Sequence, residues 1–294
     1  AQPLGDISSG QNKETKMSEQ TALMPGIYYL SEATYHALGL QYASSHRLRT
    51  MATSGFEAVK HQAVNPMEPT PAMALGSAVH CLTLTPDKFK SQFAVAPKID
   101  RRTKAGKEEW ENFTLTAATK TVIKQDQYEQ ALDMTDSLRR HTSGLLNSVK
   151  AEDAEQTYIS LWKDQPVKAR IDLLKAGTLV DIKTTSSNLT IESLTRTVAN
   201  YGYAEQMALY ARSANACGKP VTNVVIAFVN TNAPYVVRCV EITPEWLEAA
   251  GQVVDARLTE WLAHMNEATN RDNFPSFPGI DDLDMPTWYG NMLG

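Results

Sequence analysis

The sequence has few cysteines, and no two of them form a Cys-x-x-Cys pair. A zinc ribbon or a four-cysteine iron–sulfur cluster therefore has no support. We expect Cys81, Cys217 and Cys239 to be free, reduced thiols, which is typical of a cytoplasmic protein. The sequence also lacks the run of about 18 apolar residues that a membrane-spanning helix needs, so we expect no membrane partner.

An excess of positive charge is absent as well. The 294 residues include 28 Lys and Arg against 33 Asp and Glu, a formal net charge of −5. This balance argues against non-specific binding of nucleic acid by bulk charge. It does not exclude a local basic channel, because the position of the charges decides what a surface binds.

The order of predicted elements indicates an α/β fold with a central mixed β-sheet flanked by helices and an N-terminal helical elaboration. Residues 1–25 are polar without an apolar period and predict a flexible tail, so that 26–294 form a single domain. Helices are predicted at 44–60, 72–84, 107–120, 125–141, 190–199, 203–217 and 245–267. Strands are predicted at 156–163, 166–174, 178–183, 222–230 and 235–242, and 271–294 is predicted to be mostly irregular.

Residues 170–183 predict a β-hairpin with a two-residue loop at Ala176-Gly177. Residues whose numbers sum to 353 then lie opposite each other. This register places apolar pairs on one face, which we expect to be the core face: Ile171 with Ile182, and Leu173 with Val180.

On the other face, the same register places Asp172 opposite Asp181, with side-chain bases only about 4.5–5.5 Å apart. Two opposed carboxylates repel each other unless a cation lies between them. Lys183, two residues beyond Asp181, projects from the same face. Such a face suits a Mg²⁺ site, and the alternative is a solvated face with unpaired charges. Arg170 opposite Lys183 is an awkward neighbour, which leaves a bulge or a slip open.

Three further residues can join this face, each with a structural alternative. Glu155 precedes a strand and can supply a third carboxylate, or it is an exposed member of the acidic run 152–155. His80 lies one turn after Gly76, whose missing side chain permits a close approach, and is a ligand or a structural histidine. Gln206 can reach the site from a neighbouring helix, or it edges a packed face formed by Tyr203, Gln206 and Tyr210.

Taken together, these motifs resemble the PD-(D/E)XK nuclease superfamily in its RecB-like branch. That branch shows Gly-x-x-x-His, a Glu, an Asp, Asp-x-Lys and Gln-x-x-x-Tyr in this order. Here they are Gly76–His80, Glu155, Asp172, Asp181-Ile182-Lys183 and Gln206–Tyr210.

Within the superfamily, the sequence is most similar to the RecE-type exonucleases, the C-terminal nuclease domain of exodeoxyribonuclease VIII. The similarity extends over roughly residues 27–290 and includes the segments 101–109, 181–185 and 285–288. One departure is Ile171, which stands where many members of the superfamily have a proline before the first Asp.

The resemblance implies a Mg²⁺-dependent 5′→3′ exonuclease on linear double-stranded DNA, which leaves 3′ single-stranded overhangs for recombination by strand annealing. It implies two Mg²⁺ in each active site, for which Mn²⁺ can substitute. It also implies three partners: double-stranded DNA ends, a cognate RecT-like single-strand annealing protein, and further copies of the chain in a ring-shaped homo-oligomer.

The resemblance assigns roles to the site residues. Asp172, Asp181 and the Ile182 carbonyl are expected to bind one metal, and His80 and Glu155 a second or a shared pair. Lys183 is expected to orient or deprotonate the water, or to offset charge on the phosphate. Gln206 is expected to position Lys183 or the water. Tyr210 completes the motif, and helix packing is the alternative to a role in the site.

The basic run near residue 100 is expected to contact DNA phosphates through Lys98, Arg101, Arg102, Lys104 and Lys107. Arg101 or Arg102 can recognise a 5′-phosphate by bidentate hydrogen bonds. The alternative is an ordinary solvated loop.

Other functions compatible with the motifs are a catalytically inactive DNA-end-binding module and another RecB-like nuclease. Several RecB-like relatives carry a four-cysteine iron–sulfur cluster, which three dispersed cysteines disfavour. A purely structural or interaction protein is a further alternative, but it leaves the polar face of the 170–183 hairpin without a purpose.

Overall fold

The structure is a computed structural model that describes residues 23–267. Its strands are β1 (Gly26–Tyr28), β2 (Phe93–Ala96), β3 (Thr121–Lys124), β4 (Ala154–Trp162), β5 (Gln165–Lys175), β6 (Thr178–Thr185), β7 (Asn223–Asn230) and β8 (Val237–Glu241). Its helices are α1 (Glu32–Ala37), α2 (Ser45–Ser54), α3 (Phe56–Val64), α4 (Pro71–Leu84), α5 (Phe89–Gln92), α6 (Lys104–Ala117), α7 (Gln125–His141), α8 (Ile191–Tyr201), α9 (Tyr203–Ala216) and α10 (Pro244–Glu267).

A six-stranded sheet in the order β1-β4-β5-β6-β7-β8 forms the centre of the fold. Within this sheet β6 and β7 run parallel, and the other four neighbouring pairs are antiparallel. The parallel pair is joined by α8 and α9, since parallel neighbours need a crossover connection. The sheet is therefore mixed, and the predicted fold class is confirmed.

Helices cover both faces of this sheet. On one face, α4 and α7 pack with buried residues such as Leu82 and Leu138. On the other face, α8 and α9 pack with Leu194 and Met207. The sheet is thus shielded from water on both sides, which explains the apolar runs in its inner strands.

The N-terminal helices form the predicted elaboration, but the single helix predicted over 44–60 is wrong. The chain forms α2 and α3 with Gly55 between them, at a φ of +81°. A side chain disfavours this backbone conformation, and glycine adopts it readily, so the helix ends there. Both short helices then pack against α10, where Phe56 meets the fully buried Trp261 edge to face.

Polar contacts tie α1 to the sheet. Lys168 of β5 is buried, and its Nζ donates a hydrogen bond to the Tyr35 carbonyl at 2.7 Å. Arg47 donates to the Leu38 carbonyl at 2.9 Å, just beyond the end of α1. Burial, helped by the charge of Arg47, lowers the pKa of Lys168 to about 7. The start of the described chain is therefore fastened to the strand that carries Asp172.

The predicted hairpin register is confirmed next to the turn and is wrong further along. Leu173 pairs with Val180, as the sum of 353 requires, and the next two pairs towards the turn follow the same register. The ladder then stops, so the predicted oppositions Ile171–Ile182 and Asp172–Asp181 do not form. Instead, the Asp172 carboxylate accepts a hydrogen bond from the Ile182 N–H at 2.8 Å.

This divergence separates β5 from β6 in the middle of the sheet. Ile171 packs in the cluster on the α9 side, whereas Leu173 packs on the α4 side, so the expected common face of these two residues is also wrong. We call this stretch, in which β5 and β6 are not paired, the opening between β5 and β6, and Asp172, Asp181 and Lys183 lie along it.

Sequence periodicity missed three short strands. Strand β1 pairs with β4, while β2 and β3 form a separate parallel pair. Each has three or four residues, too few for a clear alternation of apolar and polar side chains. The predicted irregular region 271–294, with the segment 285–288, and most of the predicted tail lie outside the described residues. Within residues 23–267, no helix has the length and apolar character needed to cross a bilayer.

Candidate metal-dependent active site

Helix α4 carries His80, which lies beside Asp172 at the opening between β5 and β6. It begins at Pro71, a residue suited to the first turn, and the Thr70 side chain caps it. Gly76 lies one turn before His80, and a Cβ built there would be 3.3 Å from the Thr184 hydroxyl oxygen of β6. The glycine therefore permits a close approach of α4 to the sheet, as its spacing predicted.

His80, Glu155 and Asp172 form the centre of the site. One ligand atom from each lies within 4.8 Å of the other two, which is close enough for a shared metal ion. His80 Nδ1 is 3.2 Å from Asp172 Oδ2. The same carboxylate oxygen accepts a hydrogen bond from the Ile182 N–H. This bond across the unpaired part of β5 and β6 holds Asp172 in place.

Glu155 owes its position to an irregularity in β4 and to Arg170. Its φ of +55° interrupts regular pairing between Ala154–Leu173 and Gln156–Ile171. Arg170 Nε donates to Glu155 Oε2 at 2.7 Å, and its Nη1 donates to the Leu30 carbonyl at 2.9 Å.

Sequence reasoning missed this partnership because it considered Arg170 only against Lys183 on β6. The other neighbour of β5 is β4, and that register places Arg170 opposite Thr157, two residues from Glu155, which its side chain reaches. The awkward like-charged pair predicted between Arg170 and Lys183 does not arise, since the ladder between β5 and β6 ends before either residue.

Asp181 and Lys183 complete the polar lining from β6. Lys183 Nζ is 2.7 Å from Asp181 Oδ2, which confirms that the two side chains share a face. Asp181 is 1% exposed, and neither of its oxygens has a hydrogen-bond partner of regular geometry among the described residues. Lys183 also lies over the ring of Tyr203, 4.7 Å from the centroid, a contact that sequence reasoning missed.

The ionisation of His80 and Asp172 is coupled. Burial disfavours the charged imidazole, but the Asp172 charge outweighs it and raises the pKa of His80 to about 9. Burial likewise opposes the charge on Asp172, yet His80 and Lys183 hold its pKa below the usual range. At neutral pH this pair is therefore an imidazolium and a carboxylate.

The carboxyl groups of Asp181 and Glu155 ionise less readily than that of Asp172. Burial raises the pKa of Asp181 to about 6, against the opposing charge of Lys183. Burial and the Asp172 charge raise the pKa of Glu155, against the opposing charge of Arg170. Lys183 itself is disfavoured by burial, but Asp181 and Asp172 raise its pKa, so it remains an ammonium at neutral pH.

These residues fit a divalent cation. The carboxylates of Glu155 and Asp172 suit Mg²⁺ and Mn²⁺, whereas the imidazole of His80 is a ligand for transition metals and favours Mn²⁺ over Mg²⁺. Asp181 adds a buried carboxylate that lacks regular hydrogen-bond donors. His80, Glu155 and Asp172 form the closest ligand set, and Asp181 is not part of that cluster. Ligation by Asp181 and by the Ile182 carbonyl stays a prediction, as does a second cation.

Gln206 and Tyr210 lie one turn apart on α9, and Gln206 borders a small cavity between α9, α2 and α10. Gln206 Nε2 donates to the Tyr210 hydroxyl at 2.9 Å, one helical turn away. Tyr210 is buried in the cluster between α9 and the sheet, which supports its packing role. The predicted action of Gln206 on Lys183 or on a water stays a prediction.

The basic run forms the loop before α6 and the first turns of that helix. Arg102 pairs with Asp100 through Nε and Nη2, at 2.9 and 3.0 Å, and Arg101 lies over the Trp110 ring at 4.4 Å. Lys104 and Lys107 are exposed on α6. Among the described residues, no hydrogen bond or ion pair joins these four side chains to the His80–Asp172 cluster.

A glycine shapes this loop. A Cβ at Gly106 would lie 2.1 Å from the Asp100 carbonyl oxygen, so only glycine permits the loop to fold back over the first turn of α6. Thr103 caps the helix through the Gly106 N–H. The loop is thus an ordered turn that presents its arginines beside a helix N-terminus.

Comparison with known families agrees with this geometry. Residues 44–277 match the model of a PDDEXK-like domain of unknown function, DUF3799. The chain belongs to this PDDEXK-like family. The PD-(D/E)XK superfamily expected from the motifs is therefore confirmed, and family and fold together indicate a nuclease. The matched region includes every predicted site residue.

The fold of this PDDEXK-like domain is similar to that of a solved protein from Eubacterium rectale named "Putative exonuclease". The TM-score is 0.58 at 14% identity, over 85% of this chain and 96% of that chain, so the likeness concerns the fold alone. The structure of SSO0001 matches at 11% identity over 64% of this chain and 84% of that chain. Its TM-score of 0.27 is too low to support an argument. No curated protein matches the chain.

The protonated state of His80 predicts how metal affinity changes with pH. A ligating imidazole must be neutral, so a cation has to displace the proton that Asp172 stabilises. We expect Mn²⁺ affinity to rise by up to about tenfold per pH unit below the His80 pKa of about 9. Calorimetric titration at pH 6, 7 and 8, in buffers of different ionisation enthalpy, measures both the affinity and the protons released.

Two variants complete this measurement. Asp172→Asn removes a ligand and is expected to weaken Mn²⁺ binding at every pH. Asp136→Asn removes an exposed carboxylate that pairs with Arg140 on α7, so it is the matched control and is expected to have no effect. Binding that is independent of pH and releases no proton would show that His80 is not a ligand.

Proposed function

We propose that this protein is a divalent-cation-dependent exonuclease that degrades linear double-stranded DNA from its 5′ ends and leaves 3′ overhangs. The observation that carries the proposal is the cluster of His80, Glu155 and Asp172 beside Asp181 and Lys183, in the opening between β5 and β6. The name of the Eubacterium rectale protein supports the exonuclease assignment at the level of a shared fold.

His80, Glu155 and Asp172 would hold the cation, with Asp181 as a further acidic ligand. When bound, Mg²⁺ lowers the pKa of a water ligand towards neutrality and offsets negative charge on the phosphate. Glu155 needs Arg170 to stay ionised and correctly placed, since burial alone favours its protonated form. Arg170 is therefore a positioning residue in this proposal.

Of the roles considered for Lys183, stabilisation of phosphate charge is the best supported. Two buried carboxylates raise its pKa, which makes it a poor base at neutral pH. Its ammonium is held between Asp181 and the Tyr203 ring, so it is oriented before any substrate arrives. A positive charge fixed in this way favours the transition state, in which charge on the phosphate oxygens increases.

DNA ends are proposed to approach along the loop before α6. Arg101, Arg102, Lys104 and Lys107 provide positive charge there, and the N-terminus of α6 adds its own partial positive charge. These side chains would hold the phosphate backbone while the site between β5 and β6 cuts. A net charge of −5 then requires the basic groups to be concentrated on the DNA-binding face.

The closer similarity to RecE-type exonucleases adds the biological part of the proposal. The 3′ overhangs would be coated by a cognate RecT-like annealing protein and used for recombination. A ring-shaped homo-oligomer would keep the enzyme on its substrate between successive cuts. The support for both is the motif similarity described above, and both would be tested by co-purification and by the mass of the assembly in solution.

The catalytic assignment predicts the outcome of a digestion assay. Linear duplex DNA carrying distinguishable labels at its 5′ and 3′ ends is incubated with Mg²⁺ or with EDTA. We expect Mg²⁺-dependent release of the 5′ label. Lys183→Ala is expected to slow release by about 10²–10³-fold, the usual cost of removing one preorganised group that stabilises developing charge.

Lys219→Ala is the matched control, because Lys219 is an exposed lysine in the turn after α9, and within residues 23–267 no hydrogen bond or ion pair joins its side chain to the site residues. Its activity is expected to equal that of the wild type. Release of the 3′ label alone would contradict the proposed direction. DNA-end binding without digestion in Mg²⁺ or Mn²⁺ would instead identify an inactive end-binding module.

The phosphate contacts predict a change in the salt dependence of DNA binding. Arg102→Ala is expected to reduce the slope of log K against log[salt] by about 0.9, the value for one lost phosphate contact. Asp100→Ala frees the Arg102 guanidinium from its ion pair and is expected to strengthen binding. Binding by fluorescence anisotropy at several salt concentrations gives both slopes.

Arg140→Ala is the control for these variants, since Arg140 is an exposed arginine that pairs with Asp136 on α7. It is expected to leave the slope unchanged. An unchanged slope for Arg102→Ala would mean that this residue makes no phosphate contact.

A further inference from the structure

A stack of aromatic rings leads from the surface to Lys183, and the metal cluster does not account for it. Tyr203 lies under the Lys183 ammonium, and its ring is stacked on that of Tyr201, with centroids 5.6 Å apart and planes 18° apart. Tyr201 is 54% exposed. The stack therefore begins at the lysine of the site and ends on a ring that is open to solvent.

The turn between α8 and α9 places the two rings parallel. Helix α8 ends at Tyr201 and α9 begins at Tyr203, with Gly202 as the single residue between them. Gly202 has a φ of +65°, a left-handed conformation that a side chain disfavours. Two consecutive helices with one such residue between them leave the tyrosines little freedom, so the exposed ring is preorganised.

The charge next to this ring suits an anionic strand. The Arg49 guanidinium carbon lies over the Tyr201 ring, 5.6 Å from its centroid, and Arg49 Nη2 donates to the Asn200 carbonyl at 3.1 Å. The nearby carboxylate of Glu205 is 3.6 Å from Arg257, which offsets its charge. The surface beside Tyr201 therefore combines an aromatic face with a guanidinium group, the two groups that hold single-stranded nucleic acid in many binding sites.

We propose that Tyr201 is a stacking platform for an unpaired nucleobase of the strand being cut, with Arg49 beside the same nucleotide. The inference rests on the proposed function and specifies its substrate. The bases of an intact duplex are stacked on both faces within the helix, so the ring accepts a base only where the strand is unpaired. The substrate class is thus a DNA end with one or more unpaired bases, produced by fraying or present as an overhang.

The short distance to Lys183 supports this assignment. One ring separates Tyr201 from the lysine, so a base on Tyr201 belongs to a nucleotide close to the phosphate being cut. Stacking on an aromatic ring is largely independent of base identity, which an enzyme that removes every nucleotide in turn requires. Ends with a few unpaired bases are therefore expected to be degraded faster than blunt ends closed by G·C pairs.

The test is DNA binding by the full chain, with Ca²⁺ in place of Mg²⁺ and with the absence of cleavage verified on gels. The probes are two duplexes with three unpaired nucleotides at one 5′ end, either normal or abasic. Wild-type protein is expected to bind the abasic probe about five- to hundredfold more weakly, the usual loss for one stacked base. Tyr201→Ala is expected to bind both probes equally weakly, and Tyr201→Phe is expected to retain the preference.

Ile191→Ala is the matched control. Ile191 is also 54% exposed and lies at the opposite end of α8, about 15 Å away along the helix axis. It is expected to keep the wild-type preference. The abasic probe itself tests the proposal without any substitution, so a variant that fails to fold does not decide the result.

Two results would overturn the proposal. If wild-type protein binds both probes equally, no base is stacked. If Tyr201→Ala keeps the wild-type preference but changes the mass of the assembly in solution, the ring serves a contact between copies of the chain. Digestion of the normal probe in Mg²⁺ distinguishes this failure from a failure of the nuclease proposal. If wild-type protein digests the probe but shows no base preference in binding, only the stacking site is refuted. If wild-type protein neither binds nor digests the probe, both proposals are refuted.

Discussion

Three carboxylates lie where β5 and β6 separate, and their negative charge is the constraint on which the rest of the site depends. Burial disfavours the ionised form of each, so each is paired with a cation: Asp172 with His80, Glu155 with Arg170, and Asp181 with Lys183. The three cations come from α4, β5 and β6. These ion pairs link the helix that covers the sheet to the two strands that separate. The charge of His80 acts on all three acids, so their ionisation is linked through this residue.

This balance also explains how the fold prepares a site for a divalent cation. The ladder between β5 and β6 ends at Leu173–Val180, and the backbone N–H of Ile182 binds the Asp172 carboxylate instead of a strand carbonyl. In this account Glu155, Asp172 and a deprotonated His80 would hold the cation, while Lys183 would keep its charge and its place over Tyr203. The same groups that stabilise the carboxylates in the absence of metal would then serve as a ligand (His80) and as a fixed positive charge for the phosphate (Lys183).

Much of this arrangement follows from the sequence, because it depends on local spacing. The two-residue loop at Ala176-Gly177 sets the hairpin register, and alternation along β6 puts Asp181 and Lys183 on one face. The point at which β5 leaves β6 is not encoded locally: the hairpin pattern predicts continued pairing, whereas the ladder ends at Leu173–Val180 and Asp172 takes His80 of α4 and the Ile182 N–H as its partners. Arg170 was misjudged for the same reason: its partner lies on the neighbouring strand β4, and pairing across that strand cannot be deduced from one hairpin. The break of the N-terminal helix at Gly55 was missed because an isolated glycine is also tolerated within helices.

The central claim is that the opening between β5 and β6 holds a catalytic divalent cation. The most direct measurement is a crystal structure of the protein soaked in Mn²⁺, with anomalous diffraction recorded above and below the manganese absorption edge. The account predicts an anomalous peak bounded by His80, Glu155 and Asp172, which is lost in Asp172→Asn crystals treated in the same way. Saturating Mn²⁺ with no peak in the opening, and with the ion pair between His80 and Asp172 intact, would contradict it.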